Sequence, residues 1–145
     1  MYRSPEERLE RFTRGFLSTL AELGGDQEQE GERSFEPEDL APQVREALAK
    51  QCARFISENL DDLLFATEQD YDWDLAGHDF ALSRNGHGAG FFDRDFDGRQ
   101  DNLQQAAEQA GQIELYLGDD GQVHAYGLED YTPPAPDTAP RRRTP

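Results

Sequence analysis

The chain has one lysine (Lys50), one cysteine (Cys52), one tryptophan and three histidines in 145 residues. A single cysteine excludes an internal disulfide framework, and no set of Cys52 and histidines has zinc-ligand spacing. Cys52 falls on the apolar stripe of a helical pattern, so it reads as a small buried hydrophobe rather than a nucleophile. No apolar run approaches the roughly 20 residues of a spanning helix. No signal peptide is expected at Met1, and the expected compartment is a cytoplasm, without membrane contact. Apolar residues are scarce, at 35%, and the mean hydropathy is −0.91. Nine Phe and five Tyr are nevertheless clustered, which points to a small folded core with polar extensions. No motif calls for a cofactor.

Acidic residues are abundant. Asp and Glu number 31 against 14 Lys and Arg, a net charge of −17. The segment from Thr132 onward holds Arg141, Arg142 and Arg143 with Asp137 alone against them. Without it the remainder has 30 carboxylates, 11 basic side chains and a charge of −19. Such a surface repels nucleic acid and anionic membranes and attracts cationic partners.

The pattern along the chain is that of an α+β domain over 1–131, followed by a Pro- and Arg-rich tail, 132–145, expected to be disordered. Residues 4–23 read as a helix. Ser4 and Glu7 form a capping box, Pro5 sits in the first turn, and Leu9, Phe12, Phe16, Leu17, Leu20 and Leu23 make one stripe. Residues 24–36 read as an acidic linker. A second, longer helix is expected over 37–65, where Leu40, Val44, Leu48, Cys52, Phe55, Ile56, Leu60 and Leu63 recur at helical spacing. Beyond it, "HDFALSR" and "HGAGFFDR" flank Asn85-Gly86, a hairpin signal. "QIELYLG" and "QVHAYGL" flank Asp120-Gly121, a second one. With a short crossover helix over 100–110, the expectation is two N-terminal helices and an antiparallel sheet of about four strands.

Three groups of residues are candidates for function. In the first hairpin, Arg84 would pair with His87 and His78 with Asp93, while Gly88 and Gly90 leave a bare strand face. His78, Arg84, His87, Gly88, Gly90 and Asp93 would then form a ligand patch, for a small metal-dependent hydrolase or a nucleotide-binding protein. The glycine spacing also suits a purely structural hairpin, since phosphate loops lead into helices. Second, Asp93, Asp95, Asp97, Gly98 and Asp101 fall at positions 1, 3, 5, 6 and 9 of a calcium loop. Position 12 is Gln104 instead of a bidentate Glu, so this is at most a weak cation site, with a helix cap as the alternative.

The third group is acidic. Residues 26–39 hold seven carboxylates against Arg33, and residues 58–74 hold Glu58, Asp61, Asp62, Glu68, Asp70, Asp72 and Asp74 with no base. If "DYDWD" is extended, its aspartates project from one side about 6.8 Å apart, with Tyr71 and Trp73 on the other as anchors. Regular carboxylates on a rigid scaffold can imitate the phosphates of nucleic acid. A solvated acidic loop is the plainer alternative.

The segments "AGHDFALSRNGHGAGFFDR" and "ELYLGDDGQV" resemble a family of small, mostly uncharacterised bacteriophage proteins. The family has a Gly-His-Asp-Phe start, an Arg-Asn-Gly-His-Gly-Ala-Gly core, an aromatic-Asp-Arg exit and a Leu-Tyr-x-Gly-Asp-Asp-Gly turn. "FTRGFLSTL", "SFEPEDLAPQ" and "CARFISEN" are similar to its N-terminal half, so the resemblance spans most of residues 11–125. Ala81 and Phe92 depart from its pattern. The resemblance implies a phage product in bacterial cytoplasm, and no catalytic residue comes with it. Together with the charge, the expectation is a non-enzymatic inhibitor of a host protein. That target would be a defence factor (of the kind met by anti-CRISPR or anti-restriction proteins) or a DNA-binding protein with a basic, nucleic-acid-binding surface. No direct contact with nucleic acid is expected.

Overall fold

The computed structural model describes residues 3–24, 35–86, 89–128 and 131–137. Helix α1 runs Pro5–Gly24 and begins as its sequence dictates. The Glu7 N–H donates to Ser4 Oγ (3.2 Å) and the Ser4 N–H to Glu7 Oε1 (3.0 Å), a closed capping box. Phe12, Phe16 and Leu20 form its buried face. The single long helix expected over 37–65 is three pieces: a 3₁₀ turn Pro37–Asp39, α2 Pro42–Glu58 and α3 Leu60–Thr67. The break is Asn59, at φ −126° and ψ 27°, whose side-chain amide donates back to the Phe55 carbonyl at 2.9 Å. An amide that bonds its own preceding turn competes with helix propagation, and the apolar stripe running across it conceals the interruption.

The largest correction falls on the expected first hairpin. Residues Trp73–Asn85 form a helix, α4, capped at its start by Asp72, whose carboxylate accepts the Trp73 N–H at 2.7 Å. Asn85-Gly86 is the end of that helix. Gly86 has φ 69° and ψ 38°, and its N–H bonds the Leu82 carbonyl. A left-handed glycine serves an Asn-Gly hairpin and a helix C-terminus equally well, so the dipeptide alone does not choose between them. Tertiary packing does. A Cβ on Gly77 would lie 1.9 Å from the Phe12 carbonyl oxygen, and one on Gly15 would lie 2.0 Å from that of Asp74. Glycine on both helices therefore lets α1 and α4 meet backbone to backbone. The supposed return strand holds a 3₁₀ turn, Phe91–Asp93, and no strand among its described residues. The His78–Asp93 cross-strand pair therefore does not form and Arg84 belongs to α4, while His87 lies outside the described residues.

The rest follows the sequence more closely. Helix α5 spans Arg99–Ala110. Strands β1, Glu114–Leu117, and β2, Val123–Tyr126, are antiparallel, with Glu114 opposite Tyr126 and Leu117 opposite Val123. Their turn is a three-residue loop rather than the expected two. The Gly121 N–H bonds the Gly118 carbonyl (3.0 Å), the Gly118 N–H bonds the Gln122 carbonyl (2.8 Å), and Gly121 sits at φ 83°. The described residues thus form five α-helices and one two-stranded antiparallel sheet, still a mixed helix-and-sheet domain. Two extended segments flank the sheet. The Ala41 N–H donates to Val123 O at 2.9 Å, and the Asp137 N–H donates to Leu117 O at 2.9 Å. Residues 132–137 of the expected disordered tail are accordingly packed, while 25–34 and 138–145 lie outside the described residues.

The core is aromatic. Phe55 and Phe80 stack with centroids 4.1 Å apart, and Phe12, Phe16 and Phe91 surround them. Among the described residues no helix is long and apolar enough to cross a membrane. Since the α1–α4 contact leaves no space for a methyl group, Gly77→Ala should lower unfolding stability by about 3 kcal/mol. Ser18→Ala, at an exposed position of α1, should stay within about 0.5 kcal/mol of the parent in a urea titration.

Candidate acidic binding face

Asp79, on α4, is 1% exposed and carries a carboxylate into the interior. Arg94 grips it with two bonds, Nε to Oδ2 at 2.8 Å and Nη2 to Oδ1 at 3.1 Å, and the Tyr71 hydroxyl donates to Oδ2 at 2.6 Å. Burial, reinforced by the Asp79 charge, pushes the Tyr71 phenol well above its ordinary range and keeps it a donor. The Arg94 guanidinium also lies 5.1 Å from the Tyr71 ring centroid, and Phe96 meets that ring edge-on at 4.8 Å. A second link lies alongside. Arg99 Nη1 bonds Asp62 Oδ1 at 3.0 Å, with its guanidinium 4.6 Å from the Phe65 ring centroid.

These links clamp the loop around residues 91–98 against the segment from α3 to the start of α4. Two acidic stretches distant in sequence therefore become neighbours. Asp61, Glu68 and Asp70 come from one, and Asp93, Asp95, Asp97 and Asp101 from the other; all seven are exposed. None lies within ion-pair distance of a described Lys or Arg. An open groove of about 540 Å³ runs between Ser57–Asp62 and Arg99, with Glu58, Asp61 and Asp62 on its walls. Phe92, 46% exposed, stands beside Asp93.

Several residues expected at this surface are elsewhere. Tyr71 and Trp73, expected as anchors, are 6% and 1% exposed and belong to the core. The extended comb of Asp70, Asp72 and Asp74 does not form, because α4 begins at Trp73. Asp72 is spent as helix cap and ion pair, with Arg3 at 2.7 Å and Arg11 at 3.8 Å. The Arg3 hydrogen bond, with the Trp73 N–H, holds that carboxyl below its usual range against a smaller opposing effect of burial. Glu58 pairs with Arg54 at 3.1 Å. Asp74 is exposed at the start of α4 and accepts the Leu75 N–H. Of the 26–39 stretch, Asp39 accepts the Glu36 N–H at 2.8 Å, and 25–34 are outside the described residues.

Among the described residues the alternative ligand patch is not assembled. His78 Nδ1 shares a hydrogen bond with Thr19 Oγ1 at 2.8 Å. Arg84 is 2% exposed and turns to the end of α5, donating Nε to Gly111 O (2.6 Å) and Nη2 to Ala110 O (2.9 Å). Burial draws its pKa down to about 10, so it remains a cation at neutral pH. Gly90, at φ 135°, is pressed on Ser83, where a Cβ would come within 2.2 Å of Oγ. Asp93 is exposed, and His87 and Gly88 lie outside the described residues.

The calcium-loop reading fails for a similar reason. Gln100 Oε1 accepts the N–H groups of Phe96 and Gly98, both at 2.9 Å, and closes the turn from within. Gln104 at position 12 binds Ser83 Oγ and the Phe92 N–H. Among the described residues no group of three or more His, Cys, Asp or Glu side chains is placed to hold a metal, so Asp93, Asp95, Asp97 and Asp101 do not converge.

One cluster has no counterpart in the sequence reading. His124, 2% exposed, bonds the Asp120 carboxylate through Nε2 at 2.9 and 3.1 Å and the Tyr131 hydroxyl through Nδ1. It fastens the segment beginning at Tyr131 to the sheet. Residue spacing holds no signal for it, because Tyr131 returns only through the fold.

Comparison with protein-family models, with curated proteins and with solved structures finds no match to this chain. The face must therefore be judged on its own geometry, which makes Arg94 the residue to probe. Arg94→Ala leaves the Asp79 carboxylate buried without its cation and should cost about 3 kcal/mol of stability. Asp93→Asn, one residue away and exposed, should change the denaturation midpoint by less than the equivalent of about 0.5 kcal/mol.

Proposed function

We propose that this chain is a non-enzymatic bacteriophage accessory protein that binds and inhibits a bacterial host protein in the cytoplasm. The target class is a defence factor, of the kind met by anti-CRISPR or anti-restriction proteins, or another DNA-binding protein. The observation that carries the reading is the acidic face, where seven exposed carboxylates from two chain segments adjoin without a described cationic partner. A cationic groove made for phosphates offers the complementary charge, and occupying it excludes nucleic acid without any chemistry. Long-range attraction between such surfaces governs the association rate and weakens with salt.

An interface also needs an apolar anchor, since exposed charge alone gives little residence time. Phe92 meets that need better than Tyr71 or Trp73, because it is exposed within the acidic loop while they are buried. The contact surface in this proposal is therefore Asp61, Glu68, Asp70 and the 92–101 loop rather than 58–74 alone.

The experiment is capture from bacterial lysate on the immobilised full chain, followed by kinetics with each retained protein. At least one retained protein should bind double-stranded DNA and be displaced by it. Asp61→Asn/Asp95→Asn/Asp97→Asn should slow its association about tenfold at low salt and flatten the salt dependence. Phe92→Ala should act mainly on dissociation. Asn suits position 97, where the backbone is left-handed at φ 60°. Equal association rates for the parent and the triple variant would sink the nucleic-acid-mimic reading.

A further inference from the structure

The acidic groove does not end at Asn59. Glu58 and Asn59 also line a second cleft, of about 480 Å³, which opens between α2 and α5. Gln51 and Phe55 continue its wall along α2, and Ala106 and Ala110 face them from α5. Phe55 and Phe80, stacked with centroids 4.1 Å apart, close the floor. The volume is that of a small-ligand site, roughly 300–1,000 Å³. Arg84 pins the α5 wall in place through the carbonyls of Ala110 and Gly111.

Gln51 shows what the cleft asks for. Its Oε1 is buried and has no hydrogen-bond partner among the described residues. A buried acceptor left unpaired is costly, so the position calls for an N–H donor. Nearby groups are acceptors too. Asn59 has its Nδ2 on the Phe55 carbonyl at 2.9 Å and adds the oxygen Oδ1. Glu58 adds a carboxylate, paired with Arg54 at 3.1 Å in an exposed i,i+4 bridge, a weak kind of pair that exchanges readily.

Oxygen acceptors beside aromatic rings are how this fold already holds its own arginines. Arg84 is held by the Ala110 and Gly111 carbonyls beside Phe80, Arg94 by Asp79 beside Tyr71, and Arg99 by Asp62 beside Phe65. A guanidinium is flat, carries its N–H donors in a fixed fork, and is less strongly hydrated than an ammonium, so it enters such a cleft at lower cost. We propose that the cleft takes an arginine side chain presented by the partner, its guanidinium passing Glu58 and Asn59 and donating to Gln51 Oε1. The inference rests on the acidic face as the contact surface and names the side chain that this surface admits. The negative groove steers the cation inward, and Gln51 gives it a bond.

NMR titration of the isotope-labelled full chain with small probes needs no host protein, so its failure is separable from failure of the inhibitor reading. Nα-acetylarginine amide should shift the Gln51 and Asn59 side-chain amide signals saturably. It should bind at least about tenfold tighter than the lysine or the uncharged citrulline counterpart. Gln51→Leu should weaken the arginine probe at least about tenfold, and should unfold at or above the parent midpoint, because it removes the unpaired acceptor. Arg54→Gln should tighten the probe about threefold, by removing the cation that competes for Glu58. Equal binding of the arginine and lysine probes, or a response at Asp61 and Asp95 with none at Gln51, would reduce the effect to general attraction and overturn the proposal. So would weaker binding in Arg54→Gln, the mark of an anion site. Tighter binding of n-butylguanidinium than of the arginine probe would assign the cleft to a free guanidinium compound and overturn the partner's arginine.

Discussion

The carboxylate of Asp79 is the constraint around which the second half of the molecule is arranged. A buried charge is tolerated only with close, well-directed partners, and here Arg94 and Tyr71 supply three hydrogen bonds from two different segments. Neither partner can move without stranding the charge. The loop before α5 and the segment before α4 are therefore fixed relative to one another, and the acidic residues on each are fixed with them. The exposed surface inherits its geometry from an interaction that solvent hardly reaches.

Helix α4 extends this logic along its length. Gly77 lets it touch α1, Asp79 holds the loop before α5, Arg84 closes the end of α5, and Asn85 pairs with Ile113 just ahead of β1. Arg84 has no carboxylate among its hydrogen-bond partners. It is held instead by the carbonyls of Ala110 and Gly111, where the helix end is negative, and by the faces of Phe80 and Phe16 at 5.0 and 5.8 Å. Every polar residue of "GHDFALSRN" is thus committed to assembly: His78 to Thr19, Ser83 to Gln104 and the Phe91 N–H, and the others as described. A segment dense in His, Asp, Arg and Gly looks like an active site in one dimension and is a set of structural joints in three.

This explains what the sequence could and could not disclose. Signals contained within a few residues were legible: the Ser4–Glu7 capping box, the α5 helix ended by Gly111, and the hairpin around Asp119-Asp120-Gly121. The first hairpin was misread because Phe80 and Leu82 fit a period of two while Trp73, Gly77, Phe80 and Arg84 fit a helix, and Gly86 is compatible with both endings. Only the α1 contact at Gly77 decides, and that contact is sixty residues away in sequence. Tyr71 and Trp73 were placed outside for the same reason, since a segment flanked by aspartates gives no hint that its aromatic rings face Asp79 and Arg8. The net charge identified the character of the surface correctly, but the pairing of 61–70 with 93–101 depends on Arg94 and Arg99, whose partners are nonlocal.

The cost of this arrangement bears on its meaning. Adjacent like charges oppose folding, and a chain with 31 carboxylates could relieve them by distributing its 14 cations over the surface. Here several arginines serve structural contacts, while Arg14, Arg45, Lys50 and Arg54 remain exposed. Arg84 is buried, Arg94 and Arg99 face Asp79 and Asp62, and Arg3 and Arg11 converge on Asp72. The carboxylates they pair with are the ones that hold the fold, and those of the face form no ion pair with a described Lys or Arg. Solubility alone asks for charge that is dispersed, and it is indifferent to which carboxylates are neutralised. The arginines nearest this face, Arg94 and Arg99, are engaged by Asp79 and Asp62, and the exposed aspartates beside them carry the remaining charge.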